Sequence, residues 1–209
     1  MIVSPSAPLA HFSLEDGMEE FKRKLDELGT IIGDGIAYFA AWFGLATDND
    51  ETAHALNRYV GLFRPAGNAL LWMALIQFNK VFDSDKRTVS LRNLLTQLKE
   101  DRALVPKLTD GDLLDIEKKL GESEEVLERL KRFRDQRLAH HDSTVTGETT
   151  VLIGEINKLI DDIKEMYNAI CRGRNRESTA FESIARDAER HTGQVVQLVV
   201  DESERVRNP

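Results

Sequence analysis

The sequence predicts an all-α fold, a helical bundle of about six helices, and three observations carry that prediction. Between Pro8 and Pro209 only Pro65 and Pro106 interrupt the chain, a spacing that permits long helices and disfavours a turn-dense sandwich or barrel. Charged residues make up 31% and aromatic residues only 7%, the balance of a solvated, charge-rich helical surface. Apolar residues recur at helical spacing, most cleanly as Leu152, Ile156, Leu159, Ile160, Ile163, Met166, Tyr167 and Ile170. With 41% apolar residues in 209, the chain can bury a real core.

Taken in order, residues 1–12 read as a flexible N-terminal arm and 13–205 as a single helical domain. Ser13 with Asp16 three residues on is a capping-box start for a helix from about Leu14 to Leu45. The acidic turn Thr47–Asp50 ends it. A second long segment runs from Glu51 to about Phe82, with Pro65 and Gly67 marking a kink or a split. The stretch 83–87 is a connection, and Ser90 caps a short helix from Leu91 to about Arg102. Pro106 closes that helix, and Thr109 with Asp112 opens the next, to about Leu120. Gly121 and Ser123 punctuate before a helix from Glu124 to about His141. Residues 142–150 (DSTVTGETT) are the most loop-like interior stretch. A helix through the Leu152–Ile170 stripe, a basic break at 172–176 and a last helix from Thr179 to about Glu202 complete the chain.

Composition narrows the function. One cysteine, Cys171, excludes an intramolecular disulfide and any site needing two thiolates, and it reads as a small buried side chain. The start lacks a basic region followed by an apolar run, so no signal peptide is expected. The longest apolar run, Ile36–Ala46, falls short of the ~20 residues that span a bilayer. The expectation is a cytoplasmic protein with no membrane partner. A formal net charge of −8 is unlike that of an obvious nucleic-acid binder. The charge is uneven, however: residues 129–137 (RLKRFRDQR) hold five bases and one acid.

That basic window leads into the richest stretch, 129–142 (RLKRFRDQRLAHHD). At about 100° per residue from Val126, the residues Leu127, Leu130, Phe133 and Leu138 define an apolar arc centred near ~50°. Arg134, Arg137 and His141 fall inside the arc, His140 lies at its edge, and Asp135 and Gln136 point away. Ionisable groups on an apolar face are costly unless paired, at an interface, or functional. Two readings stay open: an active centre, or an interior contact such as an arginine held by a carboxylate from another helix.

The stretch Arg134-Asp135, four residues, His140 (RDQRLAH) resembles the signature of the HEPN superfamily, in which an arginine and a polar residue precede a histidine. His141 also satisfies the spacing. Residues 78–95 (FNKVFDSDKRTVSLRNLL) resemble the segment preceding that signature in the abortive-infection, AbiU-like branch, where a long helix ends in an Asp-rich turn followed by a Ser-Leu-initiated helix. The resemblance covers roughly residues 65–170. It implies a helical bundle that dimerises to bring two Arg–His pairs into one cleft. It also implies metal-independent ribonuclease activity, a role as toxin or effector in phage defence or a toxin–antitoxin system, and an antitoxin protein as possible partner. On that pattern Arg134 and His140 are the catalytic pair. Asp135, Arg137 and His141 are auxiliaries, Lys131 and Arg132 contact RNA, and neither metal nor cofactor is needed. One departure stands out. Members controlled by a nucleotidyltransferase carry a tyrosine two positions after the histidine, where this chain has Asp142, or Ser143 counted from His141.

The remaining constellations are read as bland. Glu51-x-x-His54 has the spacing of half a di-iron site, but the chain lacks a second such pair. His140, His141 and Asp142 lack a fourth ligand for a metal. His11 and His191 stand alone, and Gly33-Asp34-Gly35 has no following Lys-Ser/Thr to make a phosphate loop. Tyr38, Phe39, Trp42 and Phe43, and the Ala69–Ile76 run around Trp72, read as core or dimer interface. Arg172, Arg174 and Arg176 suit a helix C-terminus. Three functions remain: a nuclease, a non-catalytic module binding RNA or a protein, and a structural dimer whose Arg–His cluster is an interface network.

Overall fold

The computed structural model describes residues 14–46, 49–138, 151–174 and 178–207, those at 14, 134–138 and 207 by backbone alone. Within them lie seven α-helices and no strand: α1 Leu14–Leu45, α2 Asp50–Arg58, α3 Val60–Val81, α4 Leu91–Glu100, α5 Asp110–Leu138, α6 Ile153–Gly173 and α7 Phe181–Arg207. A 3₁₀ turn, Arg102–Leu104, links α4 to α5. The all-α bundle is therefore as expected.

The first helix is the axis of the bundle. Phe21, Leu25, Leu28, Ile32, Ile36 and Phe39 recur every three or four residues and are buried, so one stripe of α1 lies in the core. The opposite face is charged, with Arg23 forked onto Glu20 at 2.9 Å and reaching Glu27 at 3.1 Å. By length and composition alone α1 is apolar enough to cross a membrane, a test that a core helix also passes. Its apolar stripe is the contact surface for α3, α4, α6 and α7. Gly35 permits the closest approach: a Cβ there would lie 2.8 Å from the Phe78 ring of α3.

Two boundaries differ from expectation. The 51–82 segment divides at Tyr59, and α3 runs through Pro65. Proline removes one hydrogen bond and crowds the carbonyl four residues earlier. Here that carbonyl belongs to exposed Gly61, where water is available. Likewise α5 runs through Gly121 rather than stopping at it. A helical glycine costs only about 1 kcal/mol relative to alanine. Packing of Ile116, Leu127 and Leu130 in the core supplies a continuous framework on both sides. Ser123 donates to the Lys119 carbonyl at 2.9 Å and so stays within the helix.

Caps set the other ends. Asn49 accepts from the Thr52 N–H at 3.0 Å, Ser90 accepts from Asn93 at 3.2 Å, and Thr109 and Asp112 form the expected reciprocal box. The α6 stripe is buried from Ile156 to Ile170, but Leu152 precedes the helix and is 62% exposed. Cys171 is buried, Phe39 is core, Tyr38 and Trp42 are partly buried against it, and Phe43 is exposed. Arg174 donates to the Met18 carbonyl at 3.3 Å and lies over the Phe21 ring, so it braces α1.

Candidate active site

The helix that carries Arg134 and Arg137, α5, is held by packing and by ion pairs. Leu127 and Leu130 are buried, Val126 and Phe133 pack against the core, and Phe133 stacks on Trp72 of α3 with ring centroids 5.5 Å apart. The apolar arc drawn from the sequence is thus the buried side of α5 as far as Phe133. Arg134 and Arg137 follow Leu130 by four and seven residues, which puts both positions on the register of that stripe. Their side chains and that of Asp135 lie outside the described residues, as do His140 and His141 entirely. Lys131 and Arg132 are exposed, and Arg132 Nε donates to the Glu128 carbonyl at 3.4 Å.

Ion pairs fix α5 against its neighbours. Arg129 forks onto Glu155 at the start of α6, Nη1 to Oε2 at 3.2 Å and Nη2 to Oε1 at 2.5 Å. Glu155 also accepts from the Leu152 N–H at 2.9 Å, capping α6. The Arg129 hydrogen bonds, then that N–H, hold its carboxyl below the usual range. Lys119 bridges Asp162 at 3.1 Å and Glu165 at 2.7 Å on α6, and these carboxylates push its ammonium pKa up. An arginine–carboxylate contact to another helix is thus seen at Arg129, while the side chains of Arg134 and Arg137 lie outside the described residues. Arg129 flanks the apolar arc, so periodicity alone does not single it out. Its signal was available: it opens the basic window, and Glu155 sits where a cap residue belongs.

Beside this face of α5 lies a cleft of about 620 Å³ between the end of α3, the 82–84 turn, the start of α4 and α5. Ile76, Phe82 and Leu127 supply apolar surface, and Lys80, Arg92, Lys131, Asp83, Glu124 and Glu128 supply charge. The turn behind it is tightly bonded. Ser90 donates to the Asp83 carbonyl at 2.7 Å, and the Asn93 amide donates to the Asp85 and Thr88 carbonyls at 2.7 and 2.8 Å. This is the Asp-rich turn followed by a Ser-Leu-initiated helix that the sequence resemblance drew on.

A family model described as HEPN AbiU2 matches residues 18–195. The chain belongs to the AbiU2 family of HEPN proteins. Its function is accordingly HEPN-related and tied to abortive infection. No curated protein and no solved structure matches the chain. Glu51 and His54 are exposed, His191 is exposed beside Arg190, and no group of three metal-ligating side chains occurs among the described residues. His11 and Arg176 lie outside them.

Proposed function

We propose that this AbiU2-family protein is a metal-independent endoribonuclease acting in the cytoplasm as the toxin or effector of a phage-defence or toxin–antitoxin system. The observation that carries the reading is the RDQRLAH signature, whose first five residues close α5, a helix anchored by Phe133, Arg129 and Lys119, in a chain of this family. Arg134 holds the scissile phosphate, being always ionised and fork-shaped. His140 takes the proton from the ribose 2′-OH, whose oxygen attacks phosphorus while the bond to the 5′ oxygen breaks. The leaving oxygen is then protonated, and the products carry 2′,3′-cyclic phosphate and 5′-hydroxyl ends. Arg137 and His141 assist with charge and proton transfer, and Asp135 orients the motif. Lys131 and Arg132, both exposed on the turn before Arg134, attract the RNA backbone.

A symmetric homodimer completes this reading by bringing two motifs into one cleft. The outer face of α3 supports it: Val60, Leu62 and Met73 are exposed there, and Arg64 is the one charged residue from 60 to 79. The second reading is a non-catalytic dimer that binds RNA or a partner protein, favoured by the net charge of −8, which opposes approach of an anionic strand.

Incubation of the purified protein with single-stranded RNA in EDTA separates the two. The nuclease reading expects cleavage at an unchanged rate and cyclic-phosphate ends. RNA that is bound and left intact supports the second reading instead.

A further inference from the structure

Lys80 and Lys131 approach the α3–α5 cleft from different helices, and neither makes an ion pair among the described residues. The cleft's other cation is already engaged. Arg92 donates to the Phe82 carbonyl at 3.1 Å and to Glu124 at 3.0 Å, which also neutralises that acid. Asp83 spends one oxygen on the Asp85 N–H at 3.0 Å. What remains for a ligand is two uncommitted ammonium groups on the rim, the carboxylate of Glu128 and the second oxygen of Asp83, and an apolar floor that includes Ile76 and Leu127.

We propose that this cleft is a nucleotide subsite for the RNA strand flanking the cleaved bond. Lys80 and Lys131 each hold a backbone phosphate, and the floor takes a base. The volume, about 620 Å³, suits one nucleotide, since small-molecule sites run from about 300 to 1,000 Å³, and the polar rim around a small apolar floor suits a charged one. A base amino group is the donor that complements Glu128, so the acid selects for a base rather than repelling the strand. Position also argues for it. Arg134 follows Lys131 by three residues on α5, about 4.5 Å along the helix and ~60° round it, so the cleft adjoins the motif rather than lying across the molecule. The base site rests on the nuclease reading only for what happens next to it; its own binding does not require cleavage.

The test is therefore a binding measurement on an RNA that cannot be cut. A short, fluorescently labelled single strand with 2′-O-methyl groups at every ribose lacks the attacking hydroxyl. Its affinity is followed by anisotropy over a range of salt concentrations. The slope of log affinity against log salt is about 0.7 per phosphate contacted in a single strand, so Lys80→Gln/Lys131→Gln should flatten it by about 1.4. Affinity at low salt should fall on the order of tenfold. Lys107→Gln, exposed outside the cleft, should leave the slope unaltered. A double variant that keeps its melting temperature and its slope overturns the proposal, and so does a wild-type protein that does not bind the strand. Flattening of the slope while unmodified RNA stays intact would uphold the subsite and reject the nuclease. Cleavage with an unaltered slope would do the reverse.

Discussion

Replacing Gly35 and Gly121 by alanine, one at a time, sets helix propensity against packing. Both glycines lie inside helices, so each alanine gains about 1 kcal/mol of intrinsic helix stability. At Gly121 a new Cβ meets nothing within 4 Å, and the whole gain should appear. At Gly35 the Cβ would sit 2.8 and 3.0 Å from Phe78 ring atoms and 3.2 Å from the Gln77 Cβ. Phe78 is fully buried and stands edge-on to Phe39 at 6.4 Å, so the ring has little room to retreat. Overpacking of this kind costs about 1–3 kcal/mol, and the tightness here argues for the upper part of that range, leaving a net loss of ~2. A chain of this size shifts by about 2–4 °C per kcal/mol. Thermal unfolding followed by circular dichroism should therefore place Gly121→Ala a few degrees above wild type and Gly35→Ala about 4–8 °C below it. A stabilised Gly35→Ala would refute the close α1–α3 approach. A destabilised Gly121→Ala would mean that α5 stops there after all, with the glycine as a C-terminal cap.

Other outcomes follow from the same geometry. Ile163→Ala, at a fully buried position on α6, should cost about 2–5 kcal/mol in denaturant unfolding. In acid, Asp112 and Glu155 are held below their ordinary values of 3.8 and 4.5 by the Thr109 and Arg129 hydrogen bonds, respectively. Stability from both is present above those ordinary values and is lost as pH falls through the lowered ones. Melting temperature should thus decline as pH drops below about 4.5, and Glu155→Gln should shallow the decline. Light scattering at micromolar concentration should return a dimer mass, and a monomer would remove the shared-cleft arrangement.

Much of this architecture was legible because its signals are local. Ser90, Thr109 with Asp112, and the Ile156–Ile170 stripe each specify a boundary or a face from a few adjacent residues. The misplaced boundaries are those where tertiary packing overrides a local breaker. Pro65 and Gly121 lie on exposed turns where a breaker costs little, and packing farther along, Ala74 to Val81 in α3 and Leu127 and Leu130 in α5, carries the helices through them; Tyr59, with no breaker signal, marks the real division. At the site, the buried side of α5 followed from periodicity through Phe133, as did the basic window. The two ends of the Arg129–Glu155 fork each had a local signal, but their pairing, like the Lys80–Lys131 cleft, was not legible, since each joins helices whose packing the sequence does not state.

Cleavage of RNA by the Arg–His stretch is open to direct test. The most direct measurement is the cleavage rate of Arg134→Ala, His140→Ala and His141→Ala on one single-stranded RNA in EDTA, with melting temperatures taken alongside. The account predicts near-wild-type folding for His140→Ala, and rates lowered at least about a hundredfold in Arg134→Ala and His140→Ala, the usual scale for a charge-stabilising or general-base group. Loss in His141→Ala alone would transfer the base to that residue. Undiminished cleavage in all three variants, or none by the wild-type protein, would contradict the account.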